Sequence, residues 1–493
     1  MASLEAPDRG ARMLGSALFE RRTTPMKPLR AALFLALVSA AMPALAAPPY
    51  QRPAAIADDK EPLIVAGYRA LFTCSAHFVM GRPLEDIKQV EFVDVQLPGY
   101  PDPVIDEKRR LVTATDPTGT IVRIAAWRDT MGCTILPPHW TAADVWRLPY
   151  VSQPPAPDVS NLPFPAGDRV DLPANGLDAR FTALGPVLDR AFDGRTYGSA
   201  AGVVTTGVIV VRSGRIVAER YRPGFGPRSG YRTWSTAKTI TAALFGIAVR
   251  DGLLNLDERP AIPEWNYAGD PRQAITYRHL FWMSSGLYSG GANTNAMYFG
   301  GQDAESACTT TPLEVVPGTR WKYANNDTLL LQRALRERLA DDTRYLRYPY
   351  EELFHPLGMY RTRMETDHLG RFIGSSQVYT TARDLTRFGL LLQNDGVWNG
   401  RRLLPDGWVR FLATPAPTRP AVAGEWGYGA QVWLLDTMPG VPPGTFTTAG
   451  NKGQYVTVVP GHDLLIVRTG VDPDGKRFQQ DRLVADVVKV LGP

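Results

Sequence analysis

Apolar positions along the chain recur in two periods, one helical and one alternating. Pro62 to Met80 carries them at helical spacing, whereas Arg110 to Thr115 and Thr120 to Trp127 flank Asp116-Pro117-Thr118-Gly119 and predict a hairpin. A second hairpin is predicted by Gly207 to Val211 and Arg215 to Tyr221, turning at Ser213-Gly214. Ser235 to Arg250 predicts a helix with Ile240, Leu244, Ile247 and Ala248 on one face and Gly252 just past its end. Helical patterns also fall at Thr328 to Leu339, Ala382 to Gln393 and Phe478 to Leu491. Strand patterns fall at Gly429 to Leu435, Gln454 to Val459 and Asp463 to Thr469, the last two joined by Pro460-Gly461-His462. Strands at both ends of this region around a helical middle predict one antiparallel sheet built from distant segments and flanked by helices, an α/β fold of the α+β kind.

Between Pro149 and Pro173 lie seven prolines, a composition that favours an extended connector. This predicts a linker at 149–173 between a small N-terminal α/β domain at 48–148 and a main domain at 174–493. From Met26 the chain reads MKPLRAALFLALVSAAMPALAAPPY, with Lys27 and Arg30 before an apolar stretch and Ala44-Leu45-Ala46 as a small-residue cleavage site. The pattern predicts a signal peptide, translation from Met26, a mature chain starting near Ala47, and hence a leader at 1–47. The apolar stretch is shorter than the ~20 residues that span a bilayer, and no Cys follows the cut site. No stable membrane anchor is expected, and the predicted destination is the bacterial periplasm or exterior.

Composition narrows the function classes. With 493 residues, 44% hydrophobic and 21% charged, the chain is long enough for two or three domains and too apolar to be disordered. Its net charge of +5 comes mostly from the first 47 residues, which hold six Lys/Arg against three acids and leave 48 against 46 elsewhere. That balance, without a Lys/Arg run, excludes a nucleic-acid partner. Of the three cysteines, Cys74 and Cys133 are the expected disulfide in an oxidising compartment, and Cys308 is expected as a buried free thiol.

The six histidines offer no triad signal: G-x-S-x-G is absent and His462 falls in a predicted turn. Ser235-Thr236-Ala237-Lys238 offers another base, because i, i+3 spacing on a helix brings hydroxyl and amine to one face. At a helix N-terminus the Ser235 N–H and the positive dipole end favour developing negative charge. Burial is what would bring the Lys238 pKa down from ~10.4 into a useful range. Tyr323-Ala324-Asn325 adds a phenol able to relay a proton, and Gly450-Asn451-Lys452-Gly453-Gln454 adds a strand start where glycines permit close backbone approach. Taken singly, each is equally an N-cap, a packed aromatic or a glycine turn.

In this order the three features resemble the serine β-lactamase and penicillin-binding superfamily, in particular its class C-like branch of esterases and 6-aminohexanoate-dimer hydrolases. The likeness spans most of Val203 to Leu491. It also includes Leu253 to Asp257, His279 to Leu287, Pro317-Gly318-Thr319, Thr381 to Leu385 with Phe388-Gly389, and Ala449 to Gln454. The resemblance implies a β-lactamase/transpeptidase-like fold with a helical subdomain and a metal-free, cofactor-free site. It implies an acyl-enzyme on Ser235, deprotonation by Lys238 and proton shuttling by Tyr323, with either of the last two as the acylation base. By the same resemblance the oxyanion hole is the N–H groups of Ser235 and Asn451, flanked by Gly450 and Gly453, and Asn325 orients Lys238 or contacts substrate.

One departure bears on substrate. The K-T-G of β-lactamases and transpeptidases, whose Lys and Thr hold a substrate carboxylate, is replaced here by Gly450-Asn451-Lys452-Gly453-Gln454. The expected protein is therefore an exported serine hydrolase acting on a small-molecule ester or amide. The alternatives are a β-lactamase or D-alanyl-D-alanine peptidase and, from another class, an inactive member that binds cell-wall peptides or a protein.

Overall fold

The strand-forming runs at the two ends of the main region pair with each other, since an isolated hairpin cannot bury an apolar face. They form a seven-stranded antiparallel sheet in the order Gly427–Tyr428, Trp433–Leu434, Phe446–Gly450, Gln454–Val459, Leu464–Gly470, Thr205–Arg212 and Arg215–Tyr221. Its central seam sets Val467 opposite Ile209 and Ile466 opposite Val210. The computed structural model describes residues 61–93, 95, 97–289 and 291–492, all within one compact unit, Arg52–Pro493. The expected leader and signal peptide lie outside the described residues. Among the described residues, no helix is long and apolar enough to cross a membrane.

Both sheet faces are covered, which is why the central strands read as nearly unbroken Val, Ile and Leu. Ile209, Val456, Leu465 and Val467 face a core shared with Thr236–Arg250 and Ala382–Gln393. Val208, Val210 and Ile466 face one shared with Gly185–Phe192 and Gln480–Leu491. Of Gly429 to Leu435, which the alternation predicts as one strand, only Trp433–Leu434 is a strand, and the chain breaks before it and folds back so that it pairs with Gly427–Tyr428. Gln431 causes the break, taking a φ of +63°. Its buried amide donates to the Leu280 and Phe281 carbonyls and accepts from Thr328, so hydrogen bonding overrides the extended pattern.

The N-terminal helix Pro62–Cys74 packs on a four-stranded antiparallel sheet ordered Val104–Asp106, Leu111–Thr115, Val122–Arg128 and Gly132–Ile135. A disulfide joins Cys74 to Cys133, and Cys308 is a buried free thiol, both as the sequence predicts. Every residue from Ile64 to Cys74 is buried, because the face turned away from this sheet meets the main core. At Gly67 the approach is so close that a Cβ would lie 1.9 Å from the Phe299 carbonyl oxygen. Tyr68 and Phe72 stack at 4.0 Å, and Phe72 reaches Trp234 at 5.6 Å. Glu365, fully buried, accepts from Ser75 Oγ at 2.7 Å and from the Cys133 N–H at 2.8 Å. The proline-rich stretch at 149–173 has no helix or extended strand; Arg387 holds it through the Pro165 and Gly167 carbonyls and Asp168.

Candidate active site

Ser235 stands at the N-cap position of the helix Thr236–Arg250, its side chain making no capping bond, and follows Trp234, whose φ of +50° turns the chain sharply out of the short strand Gly230–Arg232. The start of that helix is fastened to the main sheet. Thr236 Oγ1 lies 2.9 Å from Thr448 Oγ1 and donates to the Gln454 carbonyl at 3.1 Å. Beside it, Gly450 ends its strand against the chain leading into the serine, where a Cβ would stand 2.1 Å from the Thr233 carbonyl oxygen. Only glycine lets the turn at 450–453 come this near. The turn continues through Lys452 and Gly453 at φ of +56° and +85°. As a result Ser235, Tyr323, Gly450, Asn451 and Gly453 line one cleft, together with Trp433, Lys476 and Arg477.

Lys238 lies one turn into the helix and is 1% exposed. Its Nζ is 3.2 Å from Ser235 Oγ, 2.6 Å from Asn325 Oδ1 and 2.8 Å from the Ser375 carbonyl oxygen. Burial lowers its pKa from 10.5 to about 7. All three oxygens within hydrogen-bond reach of it are neutral, so no counter-charge restores the ammonium. Asn325 is held in turn, its Nδ2 donating to Thr294 Oγ1 at 3.1 Å, which aims Oδ1 at the amine.

Tyr323, half-buried, packs against Trp433 at 5.6 Å and against Tyr428, and its ring centroid is 5.1 Å from Lys238 Nζ. Burial pushes its phenol well above the ordinary tyrosine value, and a hydrogen bond with Ser235 pulls it partly back. At neutral pH the phenol is therefore a proton donor. Lys452, by contrast, turns into a buried position with Nζ 3.9 Å from Asp474 Oδ1, and burial lowers its pKa.

The structure thus brings Ser235, Lys238, Tyr323 and Asn325 into one hydrogen-bonded group, with Gly450, Asn451 and Gly453 lining the same cleft. Sequence reasoning misses the Ser375 carbonyl, because a backbone oxygen has no side-chain signature. It also misses Thr294, Trp433, Lys476 and Arg477, whose types are unremarkable at their positions. Among the described residues, no three or more His, Cys, Asp or Glu side chains are grouped so as to hold a metal ion.

Comparison with known proteins adds a lineage to this geometry. A family model described as Beta-lactamase matches residues 186–489. The 6-aminohexanoate-dimer hydrolase of Paenarthrobacter ureafaciens is 26% identical over 322 residues, covering 58% of this chain and 79% of its own. A candidate β-lactamase from Bacteroides dorei DSM 17855 has a similar structure, with a TM-score of 0.51 at 19% identity over 63% of this chain and 99% of that one. EstCE1, a hydrolase with promiscuous acyltransferase activity, gives a TM-score of 0.50 at 15% identity over 63% and 97%. The two structural likenesses speak to the fold alone.

Proposed function

The chain belongs to the β-lactamase family of hydrolases, and on that premise we propose that it is an exported serine hydrolase cleaving an ester or amide bond through an acyl-enzyme on Ser235. One observation carries this reading, the surroundings of the Lys238 amine. A neutral amine has two N–H groups and one lone pair. Asn325 Oδ1 and the Ser375 carbonyl, at 2.6 and 2.8 Å, take the two hydrogens, and the lone pair is left for the Ser235 hydroxyl at 3.2 Å. A lysine held this way accepts the serine proton instead of donating its own.

In the proposed cycle Lys238 takes the Ser235 proton as Oγ attacks the substrate carbonyl. The N–H groups of Ser235 and Asn451 receive the developing oxyanion. The Tyr323 phenol protonates the departing alkoxide or amine and is reprotonated from Lys238. Water then repeats the sequence on the acyl-enzyme and frees the acid and the serine. An open-chain ester or amide fits better than a β-lactam or cell-wall peptide. The residue after Lys452 is Gly453 and not a Thr, and the Lys452 amine, on the cleft wall, lies 3.9 Å from Asp474 Oδ1, so the paired ammonium and hydroxyl of K-T-G are absent from this turn. The name of the relative, 6-aminohexanoate-dimer hydrolase, also points to a substrate other than a β-lactam.

The test is to incubate the mature protein with a fluorophosphonate and, separately, with a labelled penicillin. Adduct at Ser235 from the fluorophosphonate alone is the expected result. A stable penicillin adduct would favour the penicillin-binding alternative, and no adduct from either would favour a binding protein. Export rests on the leader sequence, and cell fractionation with N-terminal sequencing near Ala47 checks it.

A further inference from the structure

Two cavities meet at the turn 450–453. The first is the polar cleft already described, with Tyr323, Lys476 and Arg477 around Ser235. The second, of ≈ 250 Å³, shares Asn451 and Lys452 with it and has Asn295 and Asp474 at its polar side, but most of its remaining wall is apolar: Ile64, Val65, Tyr68, Leu97, Trp234 and Phe299. Four of those six precede residue 186, where the family match begins. Trp234, a fifth, is the residue immediately before the nucleophile.

The positions of the two cavities assign them different halves of a substrate. A carbonyl under attack by Ser235 projects its acyl chain and its leaving group in opposite directions. The leaving group must face its proton donor, and Tyr323 lines the polar cleft but not the apolar cavity. The acyl chain is then directed past Trp234 toward the apolar one. The wall there is preformed: Tyr68 stacks on Phe72 at 4.0 Å and meets Phe299 at 4.9 Å, and Phe72 meets Trp234 at 5.6 Å. A dry cavity of about 150 Å³ accommodates benzene, so this volume suits a straight chain of about six to eight carbons.

We propose that Ile64, Val65, Tyr68 and Leu97, with Trp234 and Phe299, build an acyl-chain subsite beside Ser235 that selects straight aliphatic acyl groups of about six to eight carbons. This rests on the serine-hydrolase reading above and adds to it the class of acyl group. Burial of each methylene contributes about 0.8 kcal/mol, or roughly a three- to four-fold gain in kcat/KM. The hexanoyl ester, four methylenes longer than the acetyl ester, should then exceed it by on the order of a hundred-fold.

The experiment measures kcat/KM for p-nitrophenyl acetate, butyrate, hexanoate and octanoate, normalised to sites titrated by fluorophosphonate. Leu97, half-buried and outside any helix or strand, is the position to change. Leu97→Trp should fill the cavity and collapse the hexanoyl-to-acetyl ratio to within about three-fold of unity, and Leu97→Ala should move the optimum to a longer chain. A wild-type ratio below three-fold, or one that Leu97→Trp leaves intact, overturns the subsite while the hydrolase reading stands. Wild-type protein that turns over no ester and takes no label at Ser235 overturns both. If Leu97→Trp does not fold, the wild-type profile and Leu97→Ala decide the matter.

Discussion

Raising the pH through neutrality should switch this site on as Lys238 loses its proton. The amine is 1% exposed, donates only to neutral oxygens, and titrates at about 7 in place of 10.5. A group with that pKa is deprotonated in about one molecule in a hundred at pH 5, in about half at pH 7 and in nearly all by pH 8.5. An ordinary lysine would be deprotonated in roughly one in three thousand at pH 7 and would not level off before about pH 11. The rate of Ser235 labelling by a fluorophosphonate reads this directly and needs no knowledge of the natural substrate. It should rise about a hundred-fold from pH 5 to a plateau near pH 8 to 9. Lys238→Met removes the amine at similar length and should lower the plateau by about 10²- to 10⁴-fold and abolish the acid limb. A rate that climbs without levelling through pH 9.5 would refute the lowered pKa. A Lys238→Met protein that keeps a tenth of the rate and the same limb would refute the base itself.

Other expectations follow from the same geometry. Tyr323→Phe should reduce turnover of an anilide by about 10²-fold or more but that of a p-nitrophenyl ester far less, since p-nitrophenolate departs without a proton; equal losses on both would deny Tyr323 the role of acid. Gly450→Ala inserts a Cβ 2.1 Å from the Thr233 oxygen, and thermal unfolding should show a loss of about 1–3 kcal/mol with kcat at least ten-fold lower; wild-type kcat would mean that the turn need not abut the serine. Replacing both Cys74 and Cys133 by Ser opens a loop spanning 59 positions and should cost about 4 kcal/mol in urea unfolding on the chain-entropy account; an unchanged midpoint would contradict that account here.

Much of this arrangement is legible in the sequence because it is local. The serine-bearing helix, the hairpin at 205–221 and the helix Ala382–Gln393 each carry their own period and punctuation, and the i, i+3 relation of Ser235 to Lys238 needs nothing beyond a helix. The seam between Leu464–Gly470 and Thr205–Arg212 is long-range, but strands at both ends of a region leave few other ways to close a sheet. Less legible is whatever depends on backbone atoms or on buried polar side chains. The Ser375 carbonyl that helps to orient Lys238 leaves no trace in residue type. Gln431 breaks a convincing alternation because its amide finds partners on two distant segments. The helix Pro62–Cys74 was a fainter case: PLIVAGYRALFTC has apolar or small residues nearly all round, the pattern of a helix covered on every side. That pattern does not say which surfaces cover it, and one of them is the wall behind Trp234.

The Gly67 contact has a practical consequence for anyone wishing to trim the chain to the stretch its relatives share. Cutting before residue 186 would strip away the helix whose backbone lies against Phe299 and bare Trp234, Phe299 and the neighbouring apolar positions together. A shortened product of that kind would keep Ser235, Lys238 and Tyr323 and still tend to clump, because its sticky flank would have been the inner lining of the intact molecule.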